Sequence, residues 1–443
     1  MRRGPARGLV TAAAALAVAF GGAASQPAAI ADVQASPVAP PQLDVAAPLP
    51  SAARLTDILT PLLSSPALGG LPAALVVDAL SGTVLMDLRG QDPTAPASTA
   101  KIIIAAAALR VLGPEARIDT KVFRASDGTL YLTGGGDATL TTGAAGSPPR
   151  ARLQDLAVGV ARAGARPVPR VVADTSLFTG PELAPGWKTS YVTEGNVAPV
   201  QSLEVDGGRE SPGVWNAPRS PDPAVAAGKD FVHMLAAAGV AVSSSQVTKG
   251  VTPAGSPVVA TVTSPPMYDL VEEMLTYSDN ELAESLGRLV ASRLGLPSSF
   301  SGAAEADLRV LDMLGIPTAG LVLRDVSGLS VDDRIAPATL LAVLRAAAAA
   351  EHPELRPMFA GLPIAALTGT LIKRFRDPPV RGGAGVVRAK TGHLAGVGAL
   401  AGQVVDVDGR LLFFAVLAPA PKVTPGEVAL DRVAATLAAC GCR

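Results

Sequence analysis

Cysteine is nearly absent from this 443-residue chain: Cys440 and Cys442 stand as a Cys-Gly-Cys tail at the extreme C-terminus. Two cysteines at a chain end exclude a disulfide framework and read as a tail with no catalytic part, where export would leave a local disulfide open. Histidine is as scarce, with only His233, His352 and His393. Neither HExxH nor a His/Cys cluster occurs, so no metal site and no cofactor are expected. The same scarcity, with no GxSxG elbow, speaks against a Ser-His-Asp hydrolase. Aromatic residues make up 3% of the chain, which leaves the core to Ala, Val and Leu. Neither sign of charge dominates: 37 Lys and Arg face 38 Asp and Glu, for a net charge of -1. Nothing electrostatic therefore recommends nucleic acid or an anionic membrane as partner, and a small neutral ligand or a polymer fits better.

The N-terminus is distinctive. Met1-Arg2-Arg3-Gly4-Pro5-Ala6-Arg7 precedes an apolar run from Leu9 to Phe20 and then small residues. That run is shorter than the roughly 20 residues a membrane span needs, and residues 1–31 read as a secretory signal with cleavage after Ala31 or Ala24. The protein is expected to be exported and extracytoplasmic, in a periplasm or cell wall. Whether the signal segment is removed or retained as an anchor, giving peripheral membrane association, stays open, as does the oligomeric state. Residues 32–53, rich in Pro, Ala and Ser, read as a linker.

From Arg54 the pattern is that of a folded α+β protein. Leu55, Ile58, Leu59, Leu62 and Leu63 recur at helical spacing, and Ala73 to Asp78 and Thr83 to Leu88 form a strand hairpin. Ser98 to Leu112 is a buried helix stopped by Gly113-Pro114. Residues 120–264 differ: short strand-like runs (Gly128 to Thr133, Pro169 to Ala173, Val258 to Thr263), many Pro and Gly, and one Ala-rich helix near 229–238. They read as an inserted β-rich domain, with 54–119 and 265–439 forming the main one. Helical periodicity returns from Met267 to Leu294, Ala303 to Leu314 and Pro337 to Ala350. Strands Val386 to Val405 and Leu411 to Leu417 join through an Asp408-Gly409 turn, and Val428 to Ala439 closes the chain as a helix. Both chain ends then place helices on one antiparallel sheet.

Three short motifs carry chemistry. Ser98-Thr99-Ala100-Lys101 opens the buried helix, and its i, i+3 spacing sets the hydroxyl and the amine on one face. A partly desolvated amine loses proton affinity and can take the serine proton, a contribution of about 10²–10⁴-fold in rate. The helix N-terminus adds N–H groups for a developing oxyanion. Ser278-Asp279-Asn280 falls at a break between helices. Its bland reading is a helix cap formed by Ser278 or Asn280; its functional one has Ser278 relay a proton to the leaving amine while Asn280 holds Lys101 or the substrate amide. Lys390-Thr391-Gly392 lies in a strand, where Lys390 adds positive potential, Thr391 bonds a substrate carboxylate, and Gly392 admits a substrate backbone. Each motif alone is weak. Together, once each and in this order, they match the signature of penicillin-binding proteins and class A β-lactamases.

With Pro96-Ala97 before Ser98, Leu132-Thr133-Gly134-Gly135-Gly136-Asp137, Ala173-Asp174-Thr175-Ser176-Leu177-Phe178, Pro185-Gly186-Trp187, Asp325-Val326-Ser327-Gly328-Leu329-Ser330, Gly369-Thr370-Leu371 and Ala389 to Leu394, the chain resembles one family from about residue 54 to 420. It is that of the class C low-molecular-mass penicillin-binding proteins of the D-alanyl-D-alanine carboxypeptidase/endopeptidase type, peptidase family S13. The resemblance implies a penicillin-binding/β-lactamase-like transpeptidase domain, an antiparallel sheet flanked by helices. It implies a Ser98 acyl-enzyme that releases terminal D-Ala from peptidoglycan stem peptides, with β-lactams as covalent inhibitors and cleavage of D-Ala-diaminopimelate cross-links left open. The N–H groups of Ser98 and His393 would form the oxyanion hole. Asp174 and, less directly, Arg374 would help form a pocket for the diaminopimelate side chain, against the bland readings of a turn-capping Asp and a surface Arg.

Two departures stand out. His393 occupies the place where the family usually has Thr, which keeps a backbone donor and removes a hydroxyl that helps hold the substrate carboxylate. The interval from Ser98 to Ser278 is also shorter than in the longest relatives. A class A β-lactamase would need a Glu paired with an Asn after the SDN motif, and no Asn follows Asn280. Gly396-Val397-Gly398-Ala399-Leu400-Ala401 mimics a dinucleotide fingerprint but precedes a strand hairpin. The alternative function is a scaffold or binding protein of the cell-wall machinery that keeps the fold without turnover.

Overall fold

A computed structural model describes residues 42–143, 149–164 and 167–441. The expected signal, 1–31, and linker residues 32–41 lie outside them. The chain enters with α1 (Ala52–Leu63), β1 (Ala73–Asp78) and β2 (Val84–Leu88), then α2 (Lys101–Val111). β3 (Asp119–Arg124), β4 (Leu130–Thr133), α3 (Leu153–Arg162), β5 (Val171–Asp174), α4 (Ser190–Thr193), α5 (Pro223–Ala237), β6 (Thr248–Lys249) and β7 (Val258–Thr263) follow. The chain returns through α6 (Met267–Tyr277), α7 (Asn280–Arg293), α8 (Phe300–Met313) and α9 (Pro337–Ala348) to β8 (Arg388–Leu394), β9 (Val397–Val405), β10 (Leu411–Ala418) and α10 (Val423–Ala438).

The first sheet runs β2-β1-β10-β9-β8, antiparallel throughout. Its inner strands are apolar apart from Asp78 and Gln403 because both faces are covered. On β10, Phe413, Ala415 and Leu417 meet α2 and α6 to α9, while Leu412, Phe414, Val416 and Ala418 meet α1 and α10. Side chains alternate across a strand, so a double-sided core needs apolar residues at every position. α2 is the centre of the helical layer. Ile102 to Leu109 are all at most 1% exposed, and a helix apolar on every side is stable only when surrounded. Its four consecutive alanines, Ala105 to Ala108, let neighbouring elements pack closely where aromatics are few.

The second sheet runs β6-β5-β4-β3-β7. It is mixed: β7, β3 and β4 pair antiparallel, and β4, β5 and β6 pair parallel. Two helices, α3 and α5, share its apolar core. The expected single helix thus has a companion at Leu153–Arg162, whose Leu153, Leu156, Ala157 and Val160 form one buried stripe.

The end of the expected linker is part of the packed body. Asp44 N–H donates to the Gly409 carbonyl at 2.9 Å, and α1 is capped by Ser51, whose side chain accepts from the N–H of Arg54 three residues on. Arg410 is the clamp. Its guanidinium makes two bonds to the Asp78 carboxylate, 2.6 and 2.8 Å, and donates to the carbonyls of Val45 and Ala47, both at 3.0 Å. Burial pushes the Asp78 carboxyl up, but hydrogen bonds from Arg410 and Ser81 outweigh it and hold it below the usual value. Among the described residues no helix is long and apolar enough to cross a membrane.

Replacing Arg410 by Ala strands the Asp78 charge and is expected to lower stability by about 3–5 kcal/mol in urea denaturation at neutral pH. Because the folded Asp78 value is depressed, this contribution is full above the unfolded value of about 4 and fades as pH falls through the folded value. Wild type and R410A should converge in strong acid.

Candidate active site

Ser98 lies in a 3-10 turn, Ala97–Ala100, that runs directly into α2. Lys101, the first residue of α2, is fully buried, whereas Ser98 is partly exposed. The Lys101 amine has three acceptors: Ser98 Oγ at 3.0 Å, Asn280 Oδ1 at 2.7 Å and the Ser327 carbonyl at 2.6 Å. An ammonium has three protons and fills all three bonds. A neutral amine keeps two donors for Asn280 and Ser327 and turns its lone pair to Ser98 Oγ. Burial pushes the Lys101 value down to about 8, against the opposing charges of Asp325, Glu284 and Asp279.

The break between α6 and α7 presents the second motif. Ser278 ends α6 in the left-handed region (φ 60°), uncommon for a residue with a side chain. The cap of α7 is neither Ser278 nor Asn280 but Asp279, whose Oδ1 accepts from Leu282 N–H at 3.0 Å. The middle residue thus caps the helix and releases its neighbours. Ser278 Oγ accepts from Lys390 Nζ at 2.9 Å, and Asn280, holding Lys101 through Oδ1, donates through Nδ2 to the Asn196 carbonyl at 2.8 Å. Asn280 therefore grips Lys101, one of the two roles open to it in the sequence. Lys390 also donates to the Thr391 carbonyl at 2.8 Å. It is fully buried, and burial and then the Lys101 charge hold it well below an ordinary lysine.

β8 is the open edge of the first sheet. Ala389 N–H points outward to the Pro363 carbonyl at 2.9 Å, so strand alternation turns the N–H groups of Thr391 and His393 the same way. Thr391 Oγ1 lies 2.8 Å from Thr370 Oγ1, which sets Gly369-Thr370-Leu371 beside β8. The His393 side chain is exposed. A Cβ on Gly392 would lie 2.7 Å from the Pro96 carbonyl and 3.1 Å from Ala97 Cβ, so its glycine also seats the strand against the Ala97–Ala100 turn.

Asp174 and Arg374 are occupied elsewhere. Asp174 is buried and accepts from Ser176 N–H and from the Thr252 N–H and hydroxyl, a turn-binding arrangement. Arg374 is no surface residue: it pairs with Asp431 on α10, 2.5 Å at the shortest, and approaches Glu427. Its guanidinium is thus engaged by α10 inside the fold.

Several contributors carry no motif signal. The Ser327 carbonyl and Asn196 carbonyl act through backbone, which any side chain permits. Glu284, whose Oε1 accepts from the N–H groups of Val326 and Ser327, was legible: it lies one turn after Asn280, on the same face of α7. Asp325 accepts from Gly328 N–H, Ser330 N–H and Trp187 Nε1, and Trp187 packs edge-on against Phe300 at 5.1 Å. Gly328 (φ 80°) lets this loop touch the Ala97–Ala100 turn, since a Cβ there would meet the Ala97 carbonyl at 2.0 Å.

A serine at the head of a buried helix, a desolvated lysine on its hydroxyl, and an open antiparallel strand beside both define a serine acyl-transfer enzyme of the penicillin-binding fold. The chain belongs to the D-Ala-D-Ala carboxypeptidase 3 (S13) family, whose sequence model matches residues 55–219 and 210–437. It is 41% identical over 451 residues to the carboxypeptidase DacB of Mycolicibacterium smegmatis, covering 98% of this chain and 95% of that one. A carboxypeptidase of Mycobacterium tuberculosis is 40% identical over 410 residues, covering 91% and 87%. Penicillin binding protein 4 of Haemophilus influenzae shares the fold, with a TM-score of 0.69 at 23% identity over 87% of this chain and 98% of that one. The protein is accordingly a serine-type D-Ala-D-Ala carboxypeptidase.

Gly328→Ala is expected to displace the Ala97–Ser98 turn. Release of D-Ala from a D-Ala-D-Ala peptide should fall about 100-fold, as a displacement near 1 Å at reacting atoms can do, while the circular dichroism spectrum stays that of wild type.

Proposed function

We propose that Ser98 is the nucleophile of this carboxypeptidase, Lys101 its base, Ser278 and Lys390 the proton route to the leaving amine, and Asn280 the group that orients Lys101. The observation that carries this reading is the Lys101 amine, buried and 3.0 Å from Ser98 Oγ. Neutral Lys101 takes the hydroxyl proton as Ser98 Oγ attacks the penultimate D-Ala carbonyl. The oxyanion is received by the N–H groups of Ser98 and His393, the first at the head of the 3-10 turn and the second on the open edge of β8. Ser278 Oγ, bonded to Lys390, passes a proton to the nitrogen of terminal D-Ala. As the C–N bond breaks, the proton that Lys101 took from Ser98 replaces the one Ser278 gave up, which returns the Lys101 amine to neutral. Water then attacks the ester, Lys101 takes its proton, and that proton goes to Ser98 Oγ as the ester C–O bond breaks.

The terminal carboxylate is assigned to the Thr391 hydroxyl with Thr370 Oγ1 beside it and the Lys390 charge behind. Thr370 offers a second hydroxyl in a site where His393 supplies none. Asp174 remains a residue of the insertion that shapes the neighbouring wall through its turn, rather than a direct ligand. Residues 120–264 are proposed as an inserted domain, supported by their own sheet and apolar core. The substrate is proposed to be the peptidoglycan stem peptide, met outside the cytoplasm after export, with cross-linked peptides as a further substrate. β-Lactams are proposed as covalent inhibitors; penicillin binding protein 4 of Haemophilus influenzae has been solved in complex with one.

Fluorescent penicillin should label wild type covalently and leave Ser98→Ala unlabelled; label surviving in that variant would remove Ser98 from its role. Lys101 works only when neutral and lies at about 8. The acylation rate should therefore climb with pH through that value rather than through the range of an ordinary lysine near 10.

A further inference from the structure

Beneath the Lys101 amine the fold buries a carboxylate that no step above consumes. Glu284 is fully buried on α7, one turn beyond Asn280. Its Oε1 accepts from Ser327 N–H at 2.8 Å and Val326 N–H at 3.2 Å, while its Oε2 is buried without a partner. Ser327, held at its N–H by Glu284, offers its carbonyl to Lys101 at 2.6 Å. Residues 280 and 284 of one helix face thus grip the same amine, the first directly and the second through one intervening residue, Ser327, held at its N–H and accepting at its carbonyl. An unpartnered carboxylate oxygen in an apolar interior is costly, and a site that only needed a backbone clamp would be served by a neutral amide.

We propose that Glu284 is a positioning residue of the acyl transfer: it fixes the Ser327 carbonyl so that the Lys101 lone pair is aimed at Ser98 Oγ, and its negative charge sets the proton affinity of that amine. The proposal rests on the assignment of Ser98 and Lys101 above. Lys101 is faced by Asp325, Glu284 and Asp279 and, from β8, by Lys390. Glu284 is faced by Asp325, by Arg288 one turn along α7, by Asp307 from α8, and by Asp333. Burial and then the Asp325 charge push Glu284 up to about 7, against the hydrogen bonds from Ser327 and the Arg288 charge. The carboxylate and the amine therefore exchange protons in adjoining pH ranges. Ionised Glu284 favours protonated Lys101, so removing its charge makes the amine neutral at lower pH.

Two variants separate the clamp from the charge. Glu284→Gln keeps an acceptor for both N–H groups and loses the charge; Glu284→Ala loses both. Acylation by fluorescent penicillin is measured from pH 5 to 10, with kcat and KM for D-Ala release. The rising limb of E284Q is expected about one unit below wild type, with its plateau within a few-fold. E284A is expected to lose about tenfold or more from the plateau, in kcat rather than KM. An E284Q limb that superimposes on wild type, or an E284A plateau at the wild-type level, overturns the proposal. Should either variant fail to fold, wild type supplies the readout: the amide resonances of Val326 and Ser327 shift between pH 5 and 9 if Glu284 titrates on them, and unchanged resonances overturn it. Ser98→Ala runs alongside. If it still takes the label, the underlying assignment of the nucleophile fails, and failure of the Glu284 variants with Ser98→Ala unlabelled is a separate result.

Discussion

Everything in the site depends on keeping one amine dry. Lysine resists burial because its charged form prefers water by many kcal/mol. The fold overcomes that preference by surrounding the amine with three acceptors from three separate segments: the Ser98 turn, α7 and the Asp325–Ser330 loop. Each segment is in turn fixed by something else. Gly328 and Gly392 allow the loop and β8 to close on the turn, Asp279 sets the start of α7, and Asp325 ties the loop to Trp187. The close approach of Ser98, Asn280 and Ser327 is thus a by-product of satisfying a buried donor.

The alanine-rich composition belongs to the same problem. α2 carries Lys101 into the centre of the helical layer, where α6, α7, α8 and α9 approach it, and Ala105 to Ala108 keep its girth small enough for all four. Large aromatics there would push α7, and with it Asn280, away from the amine. Low aromatic content, read from sequence as a limit on the core, is in the structure a condition for bringing Lys101 and Asn280 to within hydrogen-bond distance.

Much of this was legible in the sequence. The first sheet follows from apolar strands with turn residues between them, and the three motifs gave the side chains that meet: Ser98, Lys101, Ser278, Asn280 and Lys390. What escaped did so for identifiable reasons. β3 alternates only weakly, with Thr120 and Val122 as its buried positions among charged neighbours, so its sequence gives no clear strand period although it lies inside the sheet. α3 had a clear stripe, obscured by Pro and Gly around it. Arg374 followed a family motif but is claimed by Asp431, 57 residues further on, a partner that no local pattern reveals. The Ser327 and Asn196 contributions are carbonyls, and carbonyls leave no trace in residue identity.

The edge of β8 has a consequence beyond catalysis. An unpaired strand edge invites other chains to add to it. Here the segment at Pro363 and Ile364 already covers Ala389 and Arg388, and Thr391 and His393 alone continue the open stretch before the turn at Gly396. The gap is long enough to seat two or three residues of an extended peptide and too short to template a sheet. The fold thereby leaves one short stretch of edge open while denying a foothold to fibril growth.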